Sequence, residues 1–232
     1  MALPSLSKRT VRFLWGWLLP LSTVSILVMS CATAPGRASP TPTVPAVYAT
    51  AAAQTAVWQT LQQRPLHFPT GTPGTPCPTS PGHRLPTGEG MAVGSGPVYA
   101  VLGQAQSTGA EERQRQGILQ YVDAHAYGTG TSGWGGQKVL WVIDAHSPGP
   151  LLIRGHQVDG PHEVRFNGGL DQLSNIDALS PPLPALRLLG PPPETNWPSQ
   201  TRLQAPGCYA YQVDGLTWSS VIVFQAVLVQ HP

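Results

Sequence analysis

Histidine and aspartate side chains between residues 123 and 163 are the residues of this sequence best suited to chemistry. Four histidines fall there, on or near neighbouring predicted strands: His125, His146, His156 and His162. Imidazoles from adjacent strands can bind zinc or copper. None of the four is paired with another at i, i+2 spacing, so we expect solvated loop histidines and no metal site. The alternative is a hydrolase or metal-binding protein that uses this His/Asp cluster.

Known catalytic motifs give no support to that alternative. The stretch Asp144-Ala145-His146-Ser147 contains the residue types of a hydrolase triad. Triad members usually come from distant segments, so this adjacency indicates a strand end that runs into a polar turn. The sequence contains no G-x-S-x-G, no H-E-x-x-H and no EF-hand loop. We therefore predict no catalytic residues and a protein that is not an enzyme.

Residues 128–133, GTGTSG, match the G-x-G-x-x-G pattern of dinucleotide-binding loops. This pattern binds a pyrophosphate only where a strand precedes it and a helix begins at it. Here a glycine pair and a predicted strand follow the motif. We therefore expect a flexible hairpin loop at this position and no cofactor.

Two tryptophans are candidates for binding. Trp134 lies in the glycine-rich loop, and Trp197 lies in the proline-rich segment PPPETNWPSQ. Aromatic side chains on loops at one end of a β-sandwich can stack on sugars or anchor a protein partner. The alternative is that each tryptophan packs on its own loop.

Charge is sparse and unevenly placed along the 232 residues. Charged residues make up 10% of the chain, against about 25% in a typical soluble protein. Lys8, Arg9 and Arg12 precede every acidic residue. Without these three, ten basic residues face eleven acidic ones, which gives a net charge of −1. No basic face remains to attract phosphates, so nucleic-acid binding is not expected.

The first 31 residues have the order of an export signal. The basic residues are followed by an apolar stretch over 13–30, which Pro20 interrupts. Val28-Met29-Ser30-Cys31 then resembles the lipobox of bacterial lipoproteins, with an aliphatic residue at −3, a small residue at −1 and cysteine at +1. Met29 departs from the small residue usual at −2. The resemblance implies a signal peptide over 1–30 and a lipid on Cys31; the alternative is an uncleaved anchor.

The segment after Cys31 is typical of an extended stalk. Residues 31–53 are rich in proline, threonine and alanine, and such a composition cannot bury enough surface to fold. If Cys31 carries lipid, Cys77 and Cys208 are the two cysteines left. We predict that they form a disulfide in an oxidising compartment; the alternative is two buried thiols.

Residues 54–232 read as a single β domain. The whole chain contains 26 prolines and 25 glycines, and this content argues against an all-helical protein. Short alternating segments recur along the chain, best seen at residues 137–145, 151–158, 208–213 and 218–229. Trp141 and Trp218 share faces with the apolar residues of their strands, so we expect both to be structural. The pattern predicts an all-β fold, a β-sandwich of about 7–9 strands, with a small β-barrel as the alternative.

The run Gly207-x-Tyr209-x-x-x-Val213 resembles the tyrosine corner of immunoglobulin-like domains. The resemblance implies an immunoglobulin-like β-sandwich in which the Tyr209 phenol hydrogen-bonds to the chain that enters the strand. Tyr211 stands where the antibody-type cysteine would be, so the antibody-type disulfide between sheets is not implied.

Together these features predict a lipoprotein held by Cys31 on the extracytoplasmic face of the cell membrane. We expect a non-enzymatic role in binding, adhesion or envelope assembly. The membrane is the expected partner of the lipid, and a protein or glycan of the cell envelope is the expected partner of the domain.

The lipid assignment is tested by metabolic labelling with a fatty-acid analogue. Cys31→Ala should abolish labelling, because the Cys31 thiol is the atom predicted to be acylated. Cys77→Ala serves as the control and should keep the label. Undiminished labelling of Cys31→Ala would refute the assignment.

Overall fold

The computed structural model describes residues 51–85, 91–103, 116–127, 133–147, 149–172, 180–190 and 196–229. The predicted signal peptide, Cys31 and the linker as far as residue 50 lie outside these ranges. Among the described residues, no helix is long and apolar enough to cross a membrane.

The described residues form one helix and eleven strands, so the predicted all-β class is confirmed. The helix is α1 (Ala51–Gln62), and the strands are β1 (Gly82–Arg84), β2 (Met91–Val93), β3 (Val98–Val101), β4 (Ile118–Tyr121), β5 (Gly135–Ile143), β6 (Pro150–Gln157), β7 (Glu163–Gly168), β8 (Leu186–Leu189), β9 (Asn196–Leu203), β10 (Gly207–Asp214) and β11 (Ser219–Leu228). The count exceeds the predicted 7–9, partly because β1 and β2 have only 3 residues each, too few to show a period of two.

The strands follow one path, β1-β2-β3-β5-β9-β7-β6-β10-β11-β4, with β8 paired to β6. Every pairing is antiparallel except that of β4 with β11. An isolated bridge joins Val122 to Gly136, but among the described strands no ladder joins β1 to β4, the two ends of the path. The sheet is therefore open, and the β-barrel alternative is wrong.

The sheet folds back on itself at β7, which pairs with β9 on one side and with β6 on the other. This fold divides the sheet into two halves, one running from β1 to β9 along the path and the other from β6 to β4. One core cluster contains residues from both halves of the sheet. The Trp141 ring on β5 lies 5.0 Å from the Tyr211 ring on β10, although these strands are not hydrogen-bonded neighbours. Burial of such large rings between the two halves supplies much of the driving force for folding.

The β10–β11 hairpin forms as predicted and carries the centre of this core. The Phe224 ring stacks with the Tyr211 ring at 4.4 Å and with the Tyr209 ring at 5.8 Å. The Tyr209 hydroxyl donates to the Ala205 carbonyl at 2.7 Å, which is the bond expected of a tyrosine corner. Trp141 is fully buried, while Trp218 packs half-buried against the cluster. The wider resemblance to immunoglobulin-like domains stays a prediction.

The outer face of β10 is covered by residues 63–80, here called the strap. The Gly71 amide donates to the Val158 carbonyl and the Ser80 amide to the Val223 carbonyl, both at 2.9 Å. The predicted Cys77–Cys208 disulfide is present and joins the strap to β10. Because β10 is covered on both faces, seven of its eight residues are buried.

A buried polar network fastens the start of the strap. Asp214 is fully buried and accepts a hydrogen bond from Arg154 at 2.6 Å, from Gln212 at 3.0 Å and from Ser219 at 2.5 Å. Gln212 also donates to the Pro65 carbonyl at 3.0 Å. A buried carboxylate is tolerated only with such partners, because the interior does not solvate it. The network therefore fixes where α1 ends and the strap begins.

Breaking the disulfide should destabilise the domain without changing its fold. In the chain-entropy model, a link between residues 131 positions apart contributes about 4–5 kcal/mol. We expect urea unfolding of the paired Cys77→Ala, Cys208→Ala variant to show a free energy of unfolding lower by about 2–5 kcal/mol. A reductant should lower the stability of the wild type and leave the variant unchanged; equal effects on both would contradict the assignment.

Candidate binding site

The stretch from Asp144 to Ser147 does not form a triad. His146 is exposed, and its ring nitrogen lies 3.0 Å from the Asp144 carboxylate. Hydrogen bonds from the backbone and then the ring of His146 lower the pKa of Asp144. The Ser147 hydroxyl is buried and makes no hydrogen bond with a described residue. These residues form the polar turn that the sequence predicted after β5.

The other three histidines also stay apart. His156 lies on β6 and faces Phe68 of the strap, with ring centroids 6.3 Å apart. His125 is exposed in the turn after β4, and His162 is half-buried in the turn before β7. Nowhere in the described part of the chain do three or more His, Cys, Asp or Glu side chains group as metal ligands. The alternative of a site built from the cluster at 123–163 has no assembled centre among these residues.

Trp197 does not lie in a loop, contrary to the sequence prediction. It belongs to β9, where it stands opposite Trp141 of β5 and packs half-buried against the core. The surrounding prolines suggested a loop, but Pro198 itself lies in the strand opposite Leu140. A binding role for Trp197 stays a prediction.

Trp134 is fixed by a buried arginine rather than carried on a free loop. Arg202 is fully buried and donates to the carbonyls of Trp134 at 2.8 Å and Gly135 at 3.1 Å, and to Asn167 Oδ1 at 2.9 Å. Its guanidinium lies 4.4 Å from the centre of the Tyr127 ring. Burial lowers the pKa of Arg202 and raises that of Tyr127 to about 12. The guanidinium over the ring has the geometry of a cation–π contact.

Gly136 makes that contact possible. A Cβ atom there would lie 2.9 Å from Cζ of Tyr127 and 3.1 Å from Cδ of Arg202. On the solvent side, Arg165 lies 5.5 Å over the Trp134 ring and bonds to Glu163 at 2.9 Å. This surface is an exposed ion pair on a tryptophan, supported by a buried arginine.

A concave site lies elsewhere, at the end of α1. A shallow, open cleft of about 340 Å³ lies between the last turn of α1, the 3₁₀ turn Leu170–Gln172 and the chain entering β8. Its lining has a polar set, Gln62, Asp171, Gln172 and Arg187, and an apolar set, Leu183, Pro184 and Ala185. Concave sites with a few converging polar groups are where small ligands usually bind.

Two of the residues that line the cleft form an ion pair, which is stacked on an aromatic ring of α1. Arg187 binds Asp171 through both carboxylate oxygens, with Nε donating to Oδ2 at 2.7 Å and Nη2 donating to Oδ1. The guanidinium also lies 5.3 Å from the centre of the Trp58 ring on α1. The fork fixes the plane of the guanidinium and the ring covers one of its faces. The two charges compensate each other, so this part of the cleft is polar but neutral.

The wall beside this pair is also held firmly. Gln172 Oε1 accepts from Asn167 Nδ2 at 3.2 Å and from the Gly168 amide at 3.0 Å. Its Nε2 donates to the Pro181 carbonyl at 3.2 Å. Leu183 exchanges two backbone hydrogen bonds with Phe166, at 2.7 and 2.8 Å. Because Asn167 also accepts from Arg202, the two regions share one buried polar network.

Sequence reasoning missed this cleft. Its residues come from α1, a 3₁₀ turn and β8, and no spacing pattern connects segments so far apart. A partial signal existed, since Trp58 and Gln62 are four residues apart and lie on one face of a helix. Asp171 and Arg187 become partners only through the fold.

Comparisons with known proteins do not place the chain in a family. No family model matches it, and no curated protein matches it. One solved structure that it resembles is described as a "Putative Lipoprotein from Bacillus anthracis", with 11% sequence identity and a TM-score of 0.40. The match covers 66% of this chain and 88% of that chain. A similarity at this level does not bear on function.

Replacing Arg202 and Arg165 in two separate variants should distinguish the contribution of the buried arginine to stability from that of the exposed one. Arg202→Met should lower the free energy of unfolding by about 3 kcal/mol or more, because buried acceptors lose their donor. Arg165→Met removes an exposed pair and should cost less than about 1 kcal/mol. Chemical denaturation measures both, and equal losses would contradict the supporting role of Arg202.

Proposed function

We propose that this protein is a lipid-anchored, extracytoplasmic binding protein whose cleft at the end of α1 holds a component of the cell envelope. Two features support export. The basic segment, apolar stretch and Cys31 have the order of a lipoprotein signal. The Cys77–Cys208 disulfide fits an oxidising compartment, since cytosolic thiols are kept reduced.

The cleft is the observation that supports binding. Its polar groups are preorganised by the fork between Asp171 and Arg187, by the ring of Trp58 and by the bonded side chain of Gln172. A preorganised site loses little conformational entropy when a ligand arrives. Among the described lining residues, Asp171 is the one side chain of a type that commonly acts as a nucleophile or proton carrier, and both of its oxygens are bonded to Arg187. This chemistry favours a binding role over a catalytic one.

The length of chain between Cys31 and α1 limits how far from the membrane the cleft can lie. The helix that supplies Trp58 and Gln62 begins at Ala51, 20 residues after Cys31. A chain of that length extends to at most about 70 Å. A lipid on Cys31 would therefore keep the cleft among envelope components close to the membrane. The proposed partner, a glycan or a protein of the envelope, would have to lie close enough to the membrane for this chain to reach it.

Co-sedimentation with isolated cell-envelope material tests this function. The full-length protein purified in detergent should sediment with the insoluble fraction, and Arg187→Ala should reduce the bound fraction at least about tenfold, because the charge pair is lost. Arg165→Ala is the matched control. Both arginines pair with an acid, lie over a tryptophan and are about equally exposed, at 32% and 35%.

Only Arg187 lines the cleft. Equal loss of binding in the two arginine variants would show that the cleft is not the binding site. No sedimentation of the wild type above the level of a detergent-solubilised control protein would remove the proposed binding function altogether.

A further inference from the structure

The charges in the cleft select against charged ligands. Asp171 and Arg187 are both partly shielded from solvent, with 24% and 32% of their side chains exposed, and each neutralises the other. An anionic ligand would gain from Arg187 but face Asp171, and a cationic ligand would meet the reverse. Breaking the fork to free one charge would also give up both hydrogen bonds between Arg187 and Asp171. An uncharged polar ligand can bind while the pair stays intact.

Once the fork is formed, the polar side chains of the cleft still have hydrogen-bond donors and acceptors to offer a ligand, and these lie next to one another. Arg187 uses Nε and Nη2 for Asp171, so neither bond of the fork involves Nη1. Each Asp171 oxygen accepts one bond from Arg187 and has lone-pair capacity for another. The exposed Gln62 amide adds both a donor and an acceptor. A hydroxyl group donates and accepts at once, so neighbouring hydroxyls on one ring match this arrangement.

The rest of the lining supplies an apolar surface. Leu183, Pro184 and Ala185 lie beside the polar groups, and the backbone of Leu183 is held by its bridge to Phe166. A sugar ring has hydroxyls at its rim and C–H groups on its faces, so it can bond to one set while it packs on the other. The volume of about 340 Å³ is at the small end of ligand pockets, typically about 300–1,000 Å³. A small ring, or the end of a longer chain, suits that size.

We propose that the cleft binds an uncharged, hydroxyl-rich saccharide, with Arg187 donating to one ring hydroxyl and Asp171 accepting from its neighbour. This rests on the proposed function and adds the ligand class. Trp58 holds the guanidinium in its plane and is a positioning residue.

The test uses the full-length protein in detergent and three sets of soluble probes: uncharged oligosaccharides, acidic oligosaccharides and oligopeptides. Isothermal titration should show binding to an uncharged oligosaccharide, with a Kd that changes less than about twofold between 50 and 500 mM salt, because salt screens only charged ligands strongly. Asp171→Asn should weaken this binding at least about tenfold, since the fork and an ionised acceptor are lost.

Glu163→Gln is the matched control for the acid, because Glu163 holds Arg165 as Asp171 holds Arg187 but lies outside the cleft. It should leave saccharide binding unchanged. Trp58→Leu should weaken binding less than Asp171→Asn does, as expected for a residue that acts through Arg187.

The outcomes separate the ligand class from the function itself. Preferential binding of acidic sugars or of peptides, abolished by Arg187→Ala, would overturn the saccharide assignment and keep the cleft as a binding site. Binding of uncharged sugars that Asp171→Asn and Glu163→Gln reduce equally would overturn the assigned contacts. If none of the three sets binds and envelope material does not sediment the protein, the proposed function fails as well.

Discussion

Coverage of β10 on both faces is the constraint on which the rest of this structure depends. On the inner face, Tyr209 and Tyr211 stack with Phe224, and Trp141 closes the stack from the other half of the sheet. Without the strap, the outer face of β10 would be exposed to solvent. Here the strap and the disulfide cover the outer face, so the buried run along β10 is almost continuous. The strap is therefore part of the core, although it contains no helix or strand.

The fastened strap determines where α1 lies. Arg64 donates to the carbonyls of Trp218 and Leu216 in the turn between β10 and β11, and Arg154 donates to the last carbonyl of α1, that of Gln62. Leu61 is then buried, and α1 contacts β6. Helices of this length are marginal alone in water, so tertiary contacts account for its stability. The cleft exists because these contacts hold one side of α1 next to the 3₁₀ turn and β8.

Local signals in the sequence predicted the parts of the fold that are local. Alternation predicted the two strands of the closing hairpin, the parity of cysteines predicted the disulfide, and the motif around Tyr209 predicted a bond to the chain entering the strand, which the structure shows at Ala205. Long-range pairing could not be read in the same way. The proline in β9 suggested a loop at Trp197, yet Pro198 lies within the strand opposite Leu140, one residue before the pairing of β9 with β7 begins at Ser199. The cleft was missed because Asp171 and Arg187 have no relation in sequence.

Two places in this domain repeat one chemical arrangement, an arginine over a tryptophan and beside a carboxylate. The pairs of Arg165 with Glu163 and of Arg187 with Asp171 have similar exposure and similar partners. What differs is the surroundings. Arg165 lies on β7, on a tryptophan held by the buried Arg202, whereas Arg187 lines an open cleft between a helix, a turn and an apolar segment. Exposed ion pairs contribute little to stability, so neither is needed to hold the fold. Of the two pairs, the pair of Arg187 with Asp171 lines the cleft, and this difference in surroundings is the reason that the proposed binding is assigned to it.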